Sequence, residues 1–284
     1  MHSRHSNQAR CWLLVGLVVV SSSSWAPSSA RAVVQAGQGG QGAILQSIGP
    51  IAFGPDGTLF AADNQGAVIV ALDLGASAQG GVAGAKGVDA LDVQLAALLG
   101  TGAADVVITD LAVHPTSRHA YVSAMRGQGA GAAPTLFRID GAGKIELVPL
   151  KSLKFQSVEV PNAPAANTTA RQNPRASVIT DMAFNDGRLW VAGLSNEEFA
   201  SKLRAIPYPF ATVDGGTSVE IYHGNHRQLE TRSPVNAFVP YTIGNQPYLL
   251  AGYTCTPLVK FPIADLKPGD KVRGTTIAEF GAGN

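Results

Sequence analysis

Two Thr-Asp pairs introduce closely matching apolar segments in the middle of the chain. Thr109-Asp110 opens "TDLAV", Thr180-Asp181 opens "TDMAF", and Asn236 stands at the nearest equivalent place in a later segment, "NAFV". Carboxylate, amide and hydroxyl oxygens are the ligands that Ca²⁺ prefers. If the fold brings these positions together, they predict a binding site for a polar ligand or for Ca²⁺, with the two aspartates as the metal ligands.

The same residues also have a purely local explanation. Asp and Thr side chains at the start of a strand or turn commonly bond nearby backbone amides. Asp110 and Asp181 would then each bond amides of their own segment, and the charge of one would not affect the other. The sequence leaves both explanations open.

Other residues with chemical potential are weaker candidates. His223 and His226 have the spacing of a metal-binding pair, but no third ligand is visible near them. We interpret "HGNHR" as a solvent-facing strand end and turn, and His114 as part of a similar hairpin turn. Cys255 follows a strand close to where loops should meet, and a small buried hydrophobe is the usual role of a free cysteine.

No catalytic motif is visible. Ser177, Ser195 and Ser233 lack the context of a nucleophile elbow. The chain has no Walker loop, dinucleotide fingerprint or haem-attachment CxxCH motif. The glycine-rich "GQGGQG" is not flanked by a strand and a helix, so it does not predict a phosphate cradle. The sequence therefore assigns no catalytic residue.

The Thr-Asp pairs belong to a longer repeat of an apolar strand, a short turn, a second apolar strand, a loop and two further strands. Such passages recur at roughly sixty-residue intervals and begin near four positions: Ile51, Leu111, Met182 and Ala237. Repeated four-stranded meanders predict an all-β fold, a β-propeller with at least four blades packed face to face. The inner strands should be buried on both faces. A stack of immunoglobulin-like sandwiches would lack this recurrence.

Two segments interrupt the repeat. The stretch 162–177 is polar and predicts a loop, and its Asn167-Thr168-Thr169 triplet matches a glycosylation acceptor that is common by chance. The stretch 88–100 predicts a short amphipathic helix that ends at Gly100. Its apolar residues have helical spacing: Leu91, Leu95, Leu98 and Leu99.

The first 32 residues have the layout of a signal peptide. Arg4 and Arg10 precede an apolar run, Leu13–Val20, and a serine-rich stretch ends at Ala30-Arg31-Ala32. The apolar run is shorter than the roughly 20 residues that a membrane-spanning helix needs. We therefore expect cleavage after residue 32, export to the periplasm or the cell exterior, and no membrane anchor afterwards.

Beyond the expected cleavage site, residues 33–43 predict a flexible leader and residues 44–284 the propeller domain. The chain has 45% hydrophobic and 14% charged residues and a formal net charge of +1, so it lacks the basic surface that nucleic-acid binding needs. Of its 2 cysteines, only Cys255 lies in this part, which excludes an intramolecular disulfide.

The segments "IAFGPDGTLFAAD", "ITDLAVHP" and "ITDMAF" resemble repeats of secreted bacterial propellers in the broad NHL, SMP-30-like and quinoprotein-type group. The C-terminal "TPLVKFPIADLKPGDKVRGTTIAEFG" resembles longer exported proteins in which a further blade follows. The resemblance implies the fold but no activity, because this fold hosts unrelated functions. The 43–47 stretch is typical of an outer strand of a closing blade, and most propellers have more than four blades, so we expect the chain to be truncated, with a closed four-bladed ring as the alternative.

Two classes of function remain. The first is an exported propeller that binds a small molecule or a protein partner at one mouth of its central channel. The second is a propeller enzyme, either a lactonase-like metal-dependent hydrolase or a quinoprotein-type dehydrogenase subunit. A hydrolase needs more ligands than Asp110, Asp181 and Asn236, and a quinoprotein needs exposed aromatic residues, whereas Trp190 falls in a predicted buried strand. Binding is therefore favoured.

Overall fold

The computed structural model describes residues 34–37, 45–78, 80, 86–166, 173–224, 227–254 and 257–279. Within these ranges the protein is all-β, as predicted, and carries one α-helix. The predicted signal peptide, the 167–169 triplet, His226 and Cys255 lie outside the described residues.

The strands are short and rich in Val, Ile, Leu and aromatic residues, the composition that fits a pleated, half-buried surface. Glycine and Asx-containing turns join many of them. In chain order they are β1 (Val34–Gly37), β2 (Ile51–Phe53), β3 (Leu59–Asp63), β4 (Val68–Asp73), β5 (Val106–Val113), β6 (Ala120–Arg126), β7 (Ala133–Ile139), β8 (Ile145–Leu147), β9 (Lys154–Glu159), β10 (Asp181–Asn185), β11 (Arg188–Leu194), β12 (Ser201–Pro207), β13 (Thr217–His223), β14 (Gln228–Glu230), β15 (Val235–Ile243), β16 (Gln246–Tyr253), β17 (Pro257–Pro262), β18 (Lys271–Arg273) and β19 (Thr275–Glu279).

The described strands form four sheets, which are the blades of a β-propeller-type structure. Blade 2 (β5-β6-β7-β8) and blade 4 (β15-β16-β17-β19) are antiparallel meanders, as the repeat predicts. Blade 3 is the meander β10-β11-β12-β13-β14, to which β18 adds a parallel strand along β13. Each of these blades therefore follows the chain order that the sequence pattern indicates.

Blade 1 does not follow the predicted chain order. Its sheet order is β1-β9-β4-β3-β2, so its fourth strand comes from beyond blade 2 in the sequence. Strand β9 pairs with β4 along its whole length, from Lys154 opposite Asp73 to Glu159 opposite Val68. The prediction of a consecutive first meander was wrong, because β4 offers a long buried edge that β9 fills.

The N-terminal prediction also needs correction within the described residues. Part of the expected flexible leader, Val34–Gly37, is strand β1 and pairs with β9. The described part of 43–47 is not a strand. Instead, the backbone N–H groups of Gln46 and Ser47 donate to the carboxylate of Asp63, at 2.8 and 3.0 Å. This buried carboxylate anchors the segment to blade 1 rather than to a closing blade.

The blades stand in the spatial order 2, 1, 3, 4. Strand β5 contacts β2, β2 contacts β10, and β10 contacts β15. An apolar core fills each gap: Tyr121 and Leu136 pack with Ile51 between blades 2 and 1. Corresponding cores join blades 1 and 3 and blades 3 and 4. The first blade in the sequence is thus an interior blade of the row.

The predicted helix covers the outer face of blade 2. Helix α1 (Leu91–Leu99) ends at Gly100, whose left-handed conformation lets its N–H reach the carbonyls of Ala96 and Ala97. Leu95 and Ala96 are buried against blade 2, but Leu98 is 51% exposed and takes no part in this packing. The prediction of the helix is confirmed, although its buried stripe is narrower than the leucine pattern suggests.

The inner strands at the two ends of the row are not buried on both faces, contrary to the prediction. Leu111 and Val113 of β5 are exposed, and so are Val239, Tyr241 and Ile243 of β15. The cause is geometric, because a blade at the end of a row has a neighbouring blade on one side only. Within the described residues, the outer face of blade 4 has no covering element comparable to helix α1.

Candidate functional site

Asp110 joins blade 2 to blade 1. One carboxylate oxygen, Oδ2, accepts the backbone N–H of Ile51 at 2.8 Å, and Oδ1 accepts that of Leu111 at 2.7 Å. Ile51 is the first residue of the neighbouring inner strand, whereas Leu111 follows Asp110 in its own strand. The carboxylate therefore bonds its own blade and also clamps the blade beside it.

Asp181 makes the same pair of bonds one repeat later. Its Oδ2 accepts the N–H of Phe238 in blade 4 at 2.6 Å, and its Oδ1 accepts the N–H of Met182 at 2.8 Å. The purely local explanation of the Thr-Asp pairs is thus incomplete, because half of the bonding crosses to a neighbouring blade. Charge-assisted bonds of this kind are about twice as strong as neutral ones.

The threonines complete the contact. Thr180 Oγ1 donates to the carbonyl oxygen of Val235 in blade 4 at 2.5 Å. Thr109 Oγ1 bonds Ser123 Oγ at 2.8 Å, and Ser123 Oγ donates in turn to the carbonyl of Gly49 in blade 1 at 2.9 Å. Each Thr-Asp pair therefore contacts both an N–H group and a carbonyl of the next blade, with Ser123 as a relay in one case.

Blades 1 and 3 are joined differently, because Pro50 occupies the aspartate position of blade 1. Here Asn64 Oδ1 accepts the N–H of Ile179 at 3.1 Å, and its Nδ2 donates to the carbonyl of Ala176 at 2.9 Å. Arg175 Nε donates to the carbonyl of Asn64 at 3.0 Å. These bonds fix the segment that leads into Thr180 and Asp181.

The contacts of the three blade pairs all lie on the side of the blades where strands β2 and β10 begin. We call this side the mouth face; it is formed by residues 45–50, 64–67, 109–110, 178–181 and 232–238. Burial raises the pKa of Asp181 to about 6, the negative charge of Asp110 adds to the rise, and the two N–H bonds oppose it. The two carboxylates are therefore close enough to interact electrostatically.

Asn236 does not take the place of a third aspartate. It lies in a β-bulge between Val235 and Ala237, where the register of β15 against β16 shifts, and it is exposed. The blade 4 residue that meets Asp181 is Phe238, two positions further on. Strand β5 has the same kind of register shift between Ile108 and Asp110, so Asn236 corresponds to Thr109 and Ala237 takes the place of the aspartate.

His223 is buried, contrary to the prediction of a solvent-facing turn. It is 1% exposed, and its Nδ1 lies 3.1 Å from Oε1 of Glu230. Ser233 Oγ donates to the other oxygen of Glu230 at 2.5 Å. The alternation of residues along β13 could have predicted this burial, because His223 lies on the same face of the strand as the buried residues Val219 and Ile221.

The prediction that His114 faces solvent was also wrong. It does lie in the predicted hairpin turn, but it is buried, and its Nδ1 accepts the N–H groups of Thr116 and Ser117 at 3.3 and 3.0 Å. Burial lowers the pKa of His114, so the neutral ring that accepts these bonds is favoured. Trp190 is buried between blades 3 and 4, as predicted.

Two buried cations were not predicted from the sequence "SKLRAIP": Lys202 and Arg204 of β12. An alternating strand normally turns its charges to solvent, but here the chain segment after β9 covers that face. Lys202 pairs with Glu197 and donates to Ser218 Oγ at 2.8 Å. Arg204 is fully buried, and burial lowers its pKa to about 10. Its Nη2 donates to the carbonyl of Pro161 at 3.5 Å, and among the described residues Nε and Nη1 have no hydrogen-bond partner.

We expect Arg204→Met to raise the free energy of unfolding by about 1 to 3 kcal/mol, because a poorly paired buried charge is replaced by an apolar side chain of similar length. Urea unfolding at pH 7 measures the change. Lys202→Met is the matched control on the same strand face, and it should destabilise the protein, since it leaves Glu197 and Ser218 without their partner. A less stable Arg204→Met variant would contradict the expectation.

Two absences apply to the described part of the chain. No three His, Cys, Asp or Glu side chains there lie close enough to hold a metal ion together. A cation between Asp110 and Asp181 would thus need hydroxyl, carbonyl or water oxygens as its remaining ligands. Among the same residues, no helix is long and apolar enough to span a membrane.

The fold places the chain among β-propeller-type proteins. No protein-family profile and no curated protein sequence matches it. Among solved structures, it is similar to the PQQ-bound form of aldose sugar dehydrogenase from Streptomyces coelicolor, with 12% identity, 88% of this chain and 86% of that chain covered, and a TM-score of 0.27. It is also similar to streptogramin B lyase, with 11% identity, 87% and 75% coverage, and a TM-score of 0.26. Similarity at this level carries no argument about the site.

Proposed function

We propose that this chain is an exported propeller that binds a divalent cation or a cationic ligand at its mouth face, between Asp110 and Asp181. The observation that carries the proposal is the approach of two carboxylates from different blades. One of them, Asp181, is poorly solvated because it is partly buried. Burial raises the pKa of Asp181 and the negative charge of Asp110 adds to the rise, so a bound cation would stabilise the ionised carboxylate.

The bonding of the carboxylates supports this proposal. Each oxygen of Asp110 and Asp181 accepts one backbone N–H, and a carboxylate oxygen can accept a second partner. The blades therefore hold both groups in place while leaving acceptor capacity at the mouth face. Two carboxylates and neutral oxygens suit hard Ca²⁺, with a dissociation constant on the order of 10⁻⁴ to 10⁻³ M.

Calcium should raise the melting temperature of the purified protein at pH 7. With Ca²⁺ at about ten times its dissociation constant, binding to the folded state adds about 1.4 kcal/mol of stability. We expect Asp110→Asn and Asp181→Asn each to remove most of this increment, since each loses a ligand charge. Differential scanning calorimetry with and without 10 mM Ca²⁺ provides the measurement.

The matched control is Asp92→Asn, which removes an exposed charge from helix α1, an element that contributes no residue to the mouth face. It should keep the full calcium effect. If Ca²⁺, Mn²⁺ and spermidine all leave the melting temperature of the unmodified protein unchanged, the site does not exist. Asp110 and Asp181 would then act only as clamps between blades.

A further inference from the structure

A second, larger site lies between blades 1 and 2 at the mouth face. It is a cavity of about 720 Å³, within the range of about 300 to 1,000 Å³ that is typical of small-molecule pockets. Its origin is the crossover of the chain from blade 2 to blade 1. Strand β8 pairs with residues 137–139 of β7. Within the described part of the chain no fourth strand lies beside residues 133–135, and the cavity occupies that space.

The lining is mostly apolar with a few polar groups. It consists of Leu45, Gln46, Gln65, Ala132, Ala133, Pro134, Thr135, Leu147, Val148, Pro149, Leu150 and Lys151. Leu147 is 51% exposed, whereas Val148 and Leu150, which follow it in the sequence, are buried. An apolar side chain that faces a cavity in this way favours an apolar ligand surface.

The charge of the cavity lining is positive. Among the described residues that line the cavity, Lys151 is the single charged one and none carries a carboxylate, in contrast to the acidic pair elsewhere on the mouth face. Gln46 and Gln65 are exposed and add amide groups that can donate hydrogen bonds. A ligand that fits this lining has an apolar body and one anionic head group.

We propose that the cavity between blades 1 and 2 binds small amphipathic organic anions, with the apolar body against Leu147 and the head group near Lys151. The size of the cavity suits a molecule of about 20 to 30 non-hydrogen atoms. This site is independent of Asp110 and Asp181, and it selects the opposite ligand charge.

The probe is 8-anilinonaphthalene-1-sulfonate, an amphipathic aromatic anion whose fluorescence rises in apolar surroundings. We expect saturable binding of one molecule per chain. N-phenyl-1-naphthylamine, which has a similar ring system without the sulfonate, should bind at least threefold more weakly. Lys151→Glu should weaken the sulfonate probe at least threefold, and Leu147→Trp, which fills the cavity, at least tenfold.

Two further variants keep the proposal testable. Tyr241→Ser removes an exposed aromatic ring from the outer face of blade 4, another apolar surface that could take the probe, and it should leave the saturable binding unchanged. Asp181→Asn should also leave it unchanged, which separates this site from the calcium site. The proposal is overturned if Leu147→Trp and Lys151→Glu, with native circular dichroism, bind the probe normally, or if Tyr241→Ser abolishes binding.

Discussion

The folded protein should lose about 3 kcal/mol of stability between pH 4 and pH 7 through the ionisation of Asp181 alone. The pKa of this carboxyl group is about 6 in the folded protein, against an ordinary value of 3.8. A difference of one pKa unit corresponds to about 1.4 kcal/mol. The magnitude is an upper value, because the group is only half-buried.

The sign follows from proton linkage. Between the two pKa values the folded state binds more protons than the unfolded state, so stability falls as pH rises. The contribution of Asp181 is fully present below pH 4 and is lost as the pH passes through 6. Most aspartates paired with N–H groups behave in the opposite way, which makes this slope diagnostic of a poorly solvated carboxylate.

Urea unfolding of the unmodified protein and of Asp181→Asn, from pH 4 to pH 7.5, measures this contribution. The difference between the two free energies should change by about 2 to 3 kcal/mol over this range, because Asn cannot ionise. Asp110→Asn is the matched control, since it keeps Asp181 and should retain most of the slope. A constant difference between the unmodified protein and Asp181→Asn would contradict the raised pKa.

Gly193→Ala should be the most damaging single-methyl substitution near the mouth face. A Cβ atom at this position would lie 2.0 Å from the carbonyl oxygen of Val178 and 2.6 Å from its carbon. The backbone on both sides is held, since Thr180 N–H donates to the carbonyl of Ala192 at 2.9 Å. Neither chain can move without displacing Thr180 and Asp181, and we expect a loss of about 3 to 5 kcal/mol.

Gly252→Ala provides the matched control. Gly193 and Gly252 each follow an alanine and are the second-to-last residue of the second strand, in blades 3 and 4 respectively. At Gly252 a Cβ atom would meet only the carbonyl of Ala237, at 3.8 Å, an ordinary contact. We expect a change of less than about 1 kcal/mol there. Similar thermal unfolding of both variants would contradict the close approach at Gly193.

A loss of calcium response in Gly193→Ala would connect this packing to the proposed function. The substitution displaces the segment that carries Asp181, whereas Gly252→Ala leaves it in place. Calorimetry of both variants with and without Ca²⁺ therefore tests whether the clamp geometry, rather than the carboxylate alone, supports cation binding.

The sequence by itself determined the local features of this protein. Alternating apolar residues and Asx-Gly turns predicted the hairpins of the blades, and leucine spacing before Gly100 predicted helix α1. These signals act over a few residues, through backbone conformations and side-chain periods that neighbouring residues dictate. The position of each Thr-Asp pair at the start of an inner strand follows from the same periodicity, and this was sufficient to select Asp110 and Asp181.

Only the tertiary structure decided which segments meet. Strand β9 follows blade 2 in the sequence, yet it pairs with β4 of blade 1, because pairing between distant segments depends on burial that no local sequence pattern specifies. That choice places blade 1 inside the row and opens the cavity beside Leu147. It also covers Arg204, which periodicity assigns to solvent. The bonds from Asp110 to Ile51 and from Asp181 to Phe238 exist for the same reason, since a carboxylate's partners are set by the blade that packs beside it.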